Sequence, residues 1–396
     1  MSQPVDKYSP ADIPALIEQL MAPSWEQRRQ ATRALAAIGA PAVQPLIELL
    51  QHARYVVRGA AATALGQIGS SARQAVPALT GLLLDDEETV RVAAAHALGG
   101  IGSAAERAVP KLFDALTGWS KEARHSANQA LKHIGAGAVP HLVERLSDTD
   151  YRVRGRAVDA LREIGAPAVP ALSEALGNEA PQVRWAAAAA LGEIGEEAKP
   201  AVPRLAAALT DRVPRVRAET ADALGRIGAE SPAAIQLLAA RLKDEDKAVR
   251  EGAAVALGNL GAHAQDAVPA LNDALLDRVA AVRSAALYTL GGLREHAAVA
   301  VPRIRGLLTD TSPGVAYNAI KALGKIGPPA QVAIKEIVAR LSSSDDQVRD
   351  ISAYVLGKMG AVAKPAVPAL NRLLHDKSID VQRAARQALK RIQAAE

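Results

Sequence analysis

The residues best suited to chemistry in this chain are a small set of histidines. His125 and His133 are eight residues apart, two turns along one helical face with Gln129 between them, and His96 lies one sequence period earlier. Asp159 and Glu163 follow one period later. A zinc or iron centre would need three or four such groups converging on one point. The bland reading is preferred: ordinary histidines on a polar surface, with no metal and no cofactor expected. Cysteine is absent, which excludes disulfides, thiolate metal sites and cysteine nucleophiles. No Ser/His/Asp arrangement is suggested locally, and no glycine loop follows a strand to cradle a phosphate. No catalytic residue is therefore assigned.

The elements that would position these side chains follow from an internal repeat. An aliphatic–Arg pair, an Ala-rich stretch and an Ile-Gly pair recur along the chain, as in Val57-Arg58 to Ile68-Gly69 and Val90-Arg91 to Ile101-Gly102. The Arg slot runs from Arg28 to Gln382 in steps of 30 or 33 residues, giving twelve copies. Each copy reads as two helices. The first carries text such as Ala108-Val109-Pro110-Lys111-Leu112, where Pro fits a first helical turn. The 30- and 33-residue copies differ just before this Pro, so the longer ones are expected to add about one turn to the first helix. The second helix buries a stripe such as Val90, Ala94, Ala97, Leu98 and Ile101, and Gly102 is placed to stop it. A glycine inside this helix (Gly66, Gly99, Gly192, Gly225, Gly258, Gly291, Gly324, Gly357) predicts close approach of a neighbouring helix.

One helix pair cannot bury its own stripe, so the copies must stack into an all-α solenoid spanning 1–396 as one array. Its capping copies would be 10–39 and 361–396, with 40–360 internal. Capping shields the apolar stripe, so a monomer is expected. Aromatic residues make up only 3% of the 396 residues, with a single Phe, which argues against a large sheet fold. No apolar run is long enough for a membrane span, and the first residues lack a signal-peptide pattern. A cytoplasmic location is expected. The net charge of +5 is mild for a nucleic-acid binder, but it divides into −3 over residues 1–198 and +8 over 199–396.

The Arg column reads as structural. An acid stands six residues before many of these arginines: Asp85 before Arg91, Asp148 before Arg154, Asp211 before Arg217, Asp244 before Arg250 and Asp277 before Arg283. A ladder of Asp–Arg hydrogen bonds tying each loop to the following helix is expected, rather than a basic stripe for phosphates. Where Arg is replaced, by Ala316 and Gln382, the acids Asp310 and Asp376 nonetheless remain.

The pattern AVPxL…D…VRxxAAxALGxIG resembles HEAT repeats, specifically the short bacterial kind named after phycobilisome lyases, over roughly residues 10–393. The resemblance implies a right-handed superhelix whose second helices line the concave side. It leaves function open, because the family spans scaffolds, chromophore lyases and metal hydroxylases. The di-iron hydroxylases of this kind use His-Glu dyads, and no histidine here is followed by Glu. A bilin-lyase-like or other metal- or chromophore-handling enzyme is the alternative to a scaffold.

Given that concave side, the positions one, five and nine residues after the Arg slot would face a partner. They gather into two sets. Asp159, Glu163, Trp185, Glu193 and Asp222 form an acidic set with one large ring. Tyr288, Tyr317, Lys321, Lys325, Tyr354, Lys358, Arg383 and Arg391 form a basic set with three rings. Tyr and Arg are frequent binding anchors. The sequence therefore points to a non-catalytic interaction scaffold whose basic face takes an acidic protein segment or peptide. Single-stranded nucleic acid, stacked on the rings, is the second possibility.

Overall fold

Copy after copy, the two-helix unit forms as its sequence dictates. The computed structural model describes residues 8–118, 120–228 and 231–394. The second helices span Trp25–Ile38, Tyr55–Ile68, Glu88–Ile101, Lys121–Ile134, Tyr151–Ile164, Pro181–Ile194, Pro214–Ile227, Lys247–Asn259, Ala280–Gly292, Pro313–Ile326, Asp346–Met359 and Ile379–Ala394. Shorter first helices alternate with them, and no strand occurs among the described residues. The fold is an all-α solenoid. The chain divides into two compact units, Met1–Ala190 and Leu191–Glu396. Each has a core of Leu, Ile, Val and Ala, with the Val of the repeat phrase fully buried at Val57, Val90, Val216, Val249 and Val282.

The inner glycines mark helix contacts. A methyl group on Gly66 would lie 2.7 Å from Cα of Ala97, and one on Gly357 would lie 2.6 Å from Cα of Ala388. Backbone cannot yield at that distance, so consecutive second helices touch where only hydrogen fits. At the helix ends, Gly102 adopts φ +72°, the positive region that stops a helix at little cost for glycine. The ninth copy keeps the geometry without the glycine, because Arg294 holds φ +53° in the corresponding position.

In the longer copies other than that of Pro232–Arg241, whose ten-residue first helix begins before the Pro slot as expected, the added residues do not extend the first α-helix. They lie in seven-residue 3-10 segments such as Gly69–Ala75 and Gly102–Ala108, against three or four residues in Ala40–Ala42 and Gly135–Ala138. The α-helix starts only with Val76 or Val109, one residue before Pro77 or Pro110. Val76 and Val109 are themselves α-helical although Pro follows each, and the same 3-10 segment precedes Ile334, where Lys335 fills the Pro slot, so the tighter extra turn does not depend on that Pro.

The Asp–Arg ladder exists with a different wiring. Each Arg does reach the residue six before it, through the backbone carbonyl. Nη1 donates to the carbonyl oxygen of Asp85 from Arg91 (2.7 Å), of Asp148 from Arg154 (2.6 Å), of Asp211 from Arg217 (2.8 Å), of Asp244 from Arg250 (2.9 Å) and of Asp277 from Arg283 (2.8 Å). The carboxylate instead accepts the rest of the fork from the preceding copy's Arg. Arg58 donates to Asp85, Arg217 to Asp244, Arg250 to Asp277, Arg283 to Asp310 and Arg349 to Asp376, each through Nε and Nη2. The same carboxylates cap their own loops, as where the Glu87 N–H donates to Asp85 at 3.0 Å. One guanidinium thus ties its own loop to its own helix and to the next copy's loop. This explains why Asp310 and Asp376 persist beside Ala316 and Gln382: their partners are Arg283 and Arg349. The loop after Ala316 carries Ser343 in the acid's place, and its hydroxyl accepts from Asp345 N–H.

Candidate functional site

On each second helix the buried Val and Ala stripe leaves the positions one, five and nine after the Arg slot at the surface. In the C-terminal unit the five-position holds Tyr288 and Tyr354, 58% and 42% exposed, with half-buried Lys321 between them. The nine-position holds exposed Lys325, Lys358 and Arg391. These side chains meet. Lys325 Nζ lies 5.0 Å from the ring centre of Tyr288 on the neighbouring helix, and its stem passes over Gly291. Lys321 stands over Tyr317 at 5.9 Å. Tyr354 is flanked by Lys358 and by Arg391 of the last helix, both at 5.8 Å. A cation over a ring face gains about 0.5–1 kcal/mol at an exposed site, enough to orient a lysine without hiding its charge. Among the described residues, Lys321, Lys325, Lys358 and Arg391 make no ion pair.

Arg383 belongs elsewhere. It pairs with Asp380 at 3.1 Å, beside a hollow lined by Tyr317, Asp346, Gln347, Asp350, Ser378 and Asp380. Burial, with Asp380 and Asp346 nearby, raises the Asp350 carboxyl above its ordinary value, while Arg383 opposes the shift. The face is therefore mixed, with lysines on rings next to an acidic hollow. The sequence reading missed Asp346 and Asp380 because they stand in the first turns of their helices, before the Arg slot and outside the three columns.

The acidic set does not form a bare acidic surface. In the N-terminal unit, Asp159 lies 3.9 Å from Arg156, and Glu163 meets both Lys132 and Arg162. Trp185 lies under the guanidinium of Arg154 at 5.2 Å. The next copy is a 30-residue one and carries Asn178 in the acid slot, 24 residues after Arg154, so the fork of Arg154 covers that ring instead. In the C-terminal unit, Asp222 and Glu193 both contact Arg226, at 2.8 and 3.4 Å. Every one of these carboxylates has a cation beside it, supplied by columns the sequence argument had not combined. The histidines are held by the protein as well: His96 Nε2 lies 3.2 Å from Ser126 Oγ, and His133 Nδ1 lies 2.6 Å from the Gln129 carbonyl. Burial, with His125 and His133 nearby, lowers the His96 pKa. Among the described residues no three His, Asp or Glu groups are placed to hold a metal ion.

A family model for HEAT repeats matches residues 13–88, 69–132, 139–213, 202–291 and 279–356. The chain belongs to the HEAT-repeat family. Solved HEAT-like structures share the fold across nearly the whole chain. The karyopherin Kap121p, in a structure with the SUMO protease Ulp1p, aligns with a TM-score of 0.61 at 14% identity, covering 97% of this chain and 49% of that one. Kap95p, in a structure concerning its binding to RanGDP, aligns at 0.58 and 15% identity, covering 97% and 62%. An engineered protein aligns at 0.48 and 24% identity, covering 89% and 98%. This HEAT-repeat chain thus spans about half to three-fifths of the karyopherin chains, and at these identities the likeness concerns fold alone. No curated protein matches the sequence.

Proposed function

We propose that this HEAT-repeat chain is a non-catalytic interaction scaffold that binds an acidic protein segment on the second-helix face of its C-terminal unit. The observation that carries the reading is the pairing of exposed tyrosines with lysines that have no carboxylate partner, led by Lys325 over Tyr288. Rigid rings with polar tips bury area at little entropic expense, and unpaired cations favour an acidic partner. The ladder arginines of this unit, Arg217, Arg250, Arg283 and Arg349, do not compete for it, since their forks already hold Asp carboxylates. The karyopherins of similar fold appear in structures with partner proteins, which supports the class of function without naming a partner here. In this reading the face is the concave side, the chain works as a monomer in the cytoplasm, and its repeats are of the phycobilisome-lyase-like kind.

The test compares wild type with a Lys321→Glu, Lys325→Glu, Lys358→Glu variant as bait in host lysate, with and without nuclease. Proteins held by wild type, lost by the variant and indifferent to nuclease are expected. Retention abolished by nuclease would replace the reading with nucleic-acid binding. Visible absorption co-purifying with the chain would favour a chromophore-handling role. Identical retained sets would sink the proposal.

A further inference from the structure

A second groove, in the N-terminal unit, plays no part in the reading above. Trp25 and Tyr55 are the first residues of adjacent second helices and remain 62% and 46% exposed. They line a hollow of about 560 Å³ together with Arg28, Arg29, Arg33 and Gly59. That volume falls within the roughly 300–1,000 Å³ range of ligand pockets. Gly59 faces open space, with nothing within 4 Å of where a side chain would begin.

The lining is basic without compensation. Arg28 is occupied, donating to the carbonyls of Ala22 and Pro23 at 2.8 and 2.6 Å. Arg29 lies over the Trp25 ring at 5.1 Å, and among the described residues neither Arg29 nor Arg33 makes an ion pair. No carboxylate lines the hollow. The acidic set was different in this respect, since each of its acids already has a cation. A capping copy read only as a solvent shield gives no reason for an exposed Trp beside unpaired arginines.

We propose that this groove is a separate docking site for a protein segment carrying an aromatic or aliphatic side chain flanked by Asp or Glu. Trp25 and Tyr55 take the apolar side chain, and Arg29 and Arg33 take the carboxylates. Arginine suits this role because its planar fork can bind a carboxylate while stacked on a ring.

The experiment selects a phage-displayed random dodecapeptide library on the immobilised full chain. The most enriched sequence is then made as a fluorescein-labelled peptide and titrated by anisotropy. Three chains are compared with wild type: Trp25→Ala, the double variant Arg29→Glu with Arg33→Glu, and the C-terminal Lys321→Glu, Lys325→Glu, Lys358→Glu variant. The substituted N-terminal side chains are at the surface, and circular dichroism melts verify that each chain stays folded. The expected result is enrichment of Asp or Glu next to an apolar residue. Affinity should fall at least tenfold in both N-terminal variants and stay unchanged in the lysine variant. Enriched peptides without acidic bias, no enrichment at all, or binding that the N-terminal variants leave intact would each overturn the proposal. Binding lost only in the lysine variant would assign the peptides to the C-terminal face and also overturn it. Oligothymidylate that binds wild type, displaces the peptide and is lost in the Arg29/Arg33 variant would replace the peptide with nucleic acid.

Discussion

Replacing Arg250 by Met should damage the array more than a surface charge loss would. The Arg250 and Asp277 side chains are only 7% and 10% exposed. The guanidinium donates to two backbone carbonyls, those of Asp244 and Glu245 at 2.9 and 3.1 Å, and to both oxygens of Asp277 at 2.6 and 3.1 Å. Met preserves much of the stem's packing but leaves a nearly buried carboxylate with one remaining hydrogen bond, from Val279 N–H. Breaking one side of a buried pair costs about 3–5 kcal/mol. Asp277→Asn keeps an acceptor for Val279 and should lose less, about 1–2 kcal/mol. The double variant should fall short of the sum by about 1–2 kcal/mol, since both singles remove the same contact. Urea denaturation followed by circular dichroism gives these differences. Amide exchange over 240–280 locates them, because a repeat array need not unfold in a single step. A loss below about 1 kcal/mol for Arg250→Met, the size of an exposed ion pair, would refute the ladder as a structural tie. Strict additivity would refute the pairing itself.

Three further outcomes follow from the same geometry. Arg294→Gly should stabilise the chain by about 1 kcal/mol, read as a higher urea midpoint, because the arginine now occupies a left-handed backbone conformation. Gly357→Ala should destabilise it by about 1–3 kcal/mol in the same assay, since its methyl group would sit 2.6 Å from Ala388 Cα. Acid should weaken the array in a defined window. Burial raises the carboxyls of Asp85, Asp244, Asp277 and Asp310, but their Arg partners and loop N–H groups outweigh it, and Arg349 most strongly lowers Asp376, so all five lie below their ordinary values. A depressed carboxyl gives its full stability above its unfolded pKa of about 3.9 and loses it as pH falls through the folded value. The ladder's share of stability, read as the difference in urea midpoint between wild type and Asp277→Asn, should therefore hold between pH 7 and about 5 and shrink below about 4, while the lowered His96 separately costs stability as pH falls below its unfolded value of about 6.5.

The solenoid was legible because helical spacing, Pro before the first helix and Gly after the second recur in a fixed period. Close packing at the inner glycines was legible for the same reason, since eight returns of a helix-weakening residue need a cause. The ladder was legible in its members but not in its wiring. Asp244 is six residues from Arg250 and 27 from Arg217, and sequence proximity favoured the nearer one. The sequence did hold the deciding clue. Asp310 survives opposite Ala316, while Ser343, 27 residues after Ala316, replaces the acid. The candidate faces were legible only in part. Columns on single helices found Tyr288 and Lys325, but neutralisation of Glu163 by Lys132 and of Glu193 by Arg226 depends on register between helices. The N-terminal groove escaped because Trp25 and Tyr55 open their helices before the Arg slot, outside the three columns considered.

The wiring of the ladder also bears on what the positive charge is free to bind. Arg217, Arg250 and Arg349 are only 5–6% exposed and already hold carboxylates, so a formal count of basic residues overstates what a phosphate chain would meet. The unpaired cations left on the C-terminal face are few, each stands over a tyrosine, and the hollow with Asp346, Asp350 and Asp380 adjoins Tyr317. A nucleic acid carries one negative charge at every step, and binding across this surface would bring phosphates against those carboxylates. A protein segment can vary its charge from residue to residue. It can set acids against Lys325 and Lys358 and a basic residue against the hollow. Mixed charge of this kind rewards one register and penalises the others, which is how electrostatics supplies specificity more than raw affinity. On the function proposed above, this arrangement suits a protein segment that is acidic in pattern rather than uniformly so.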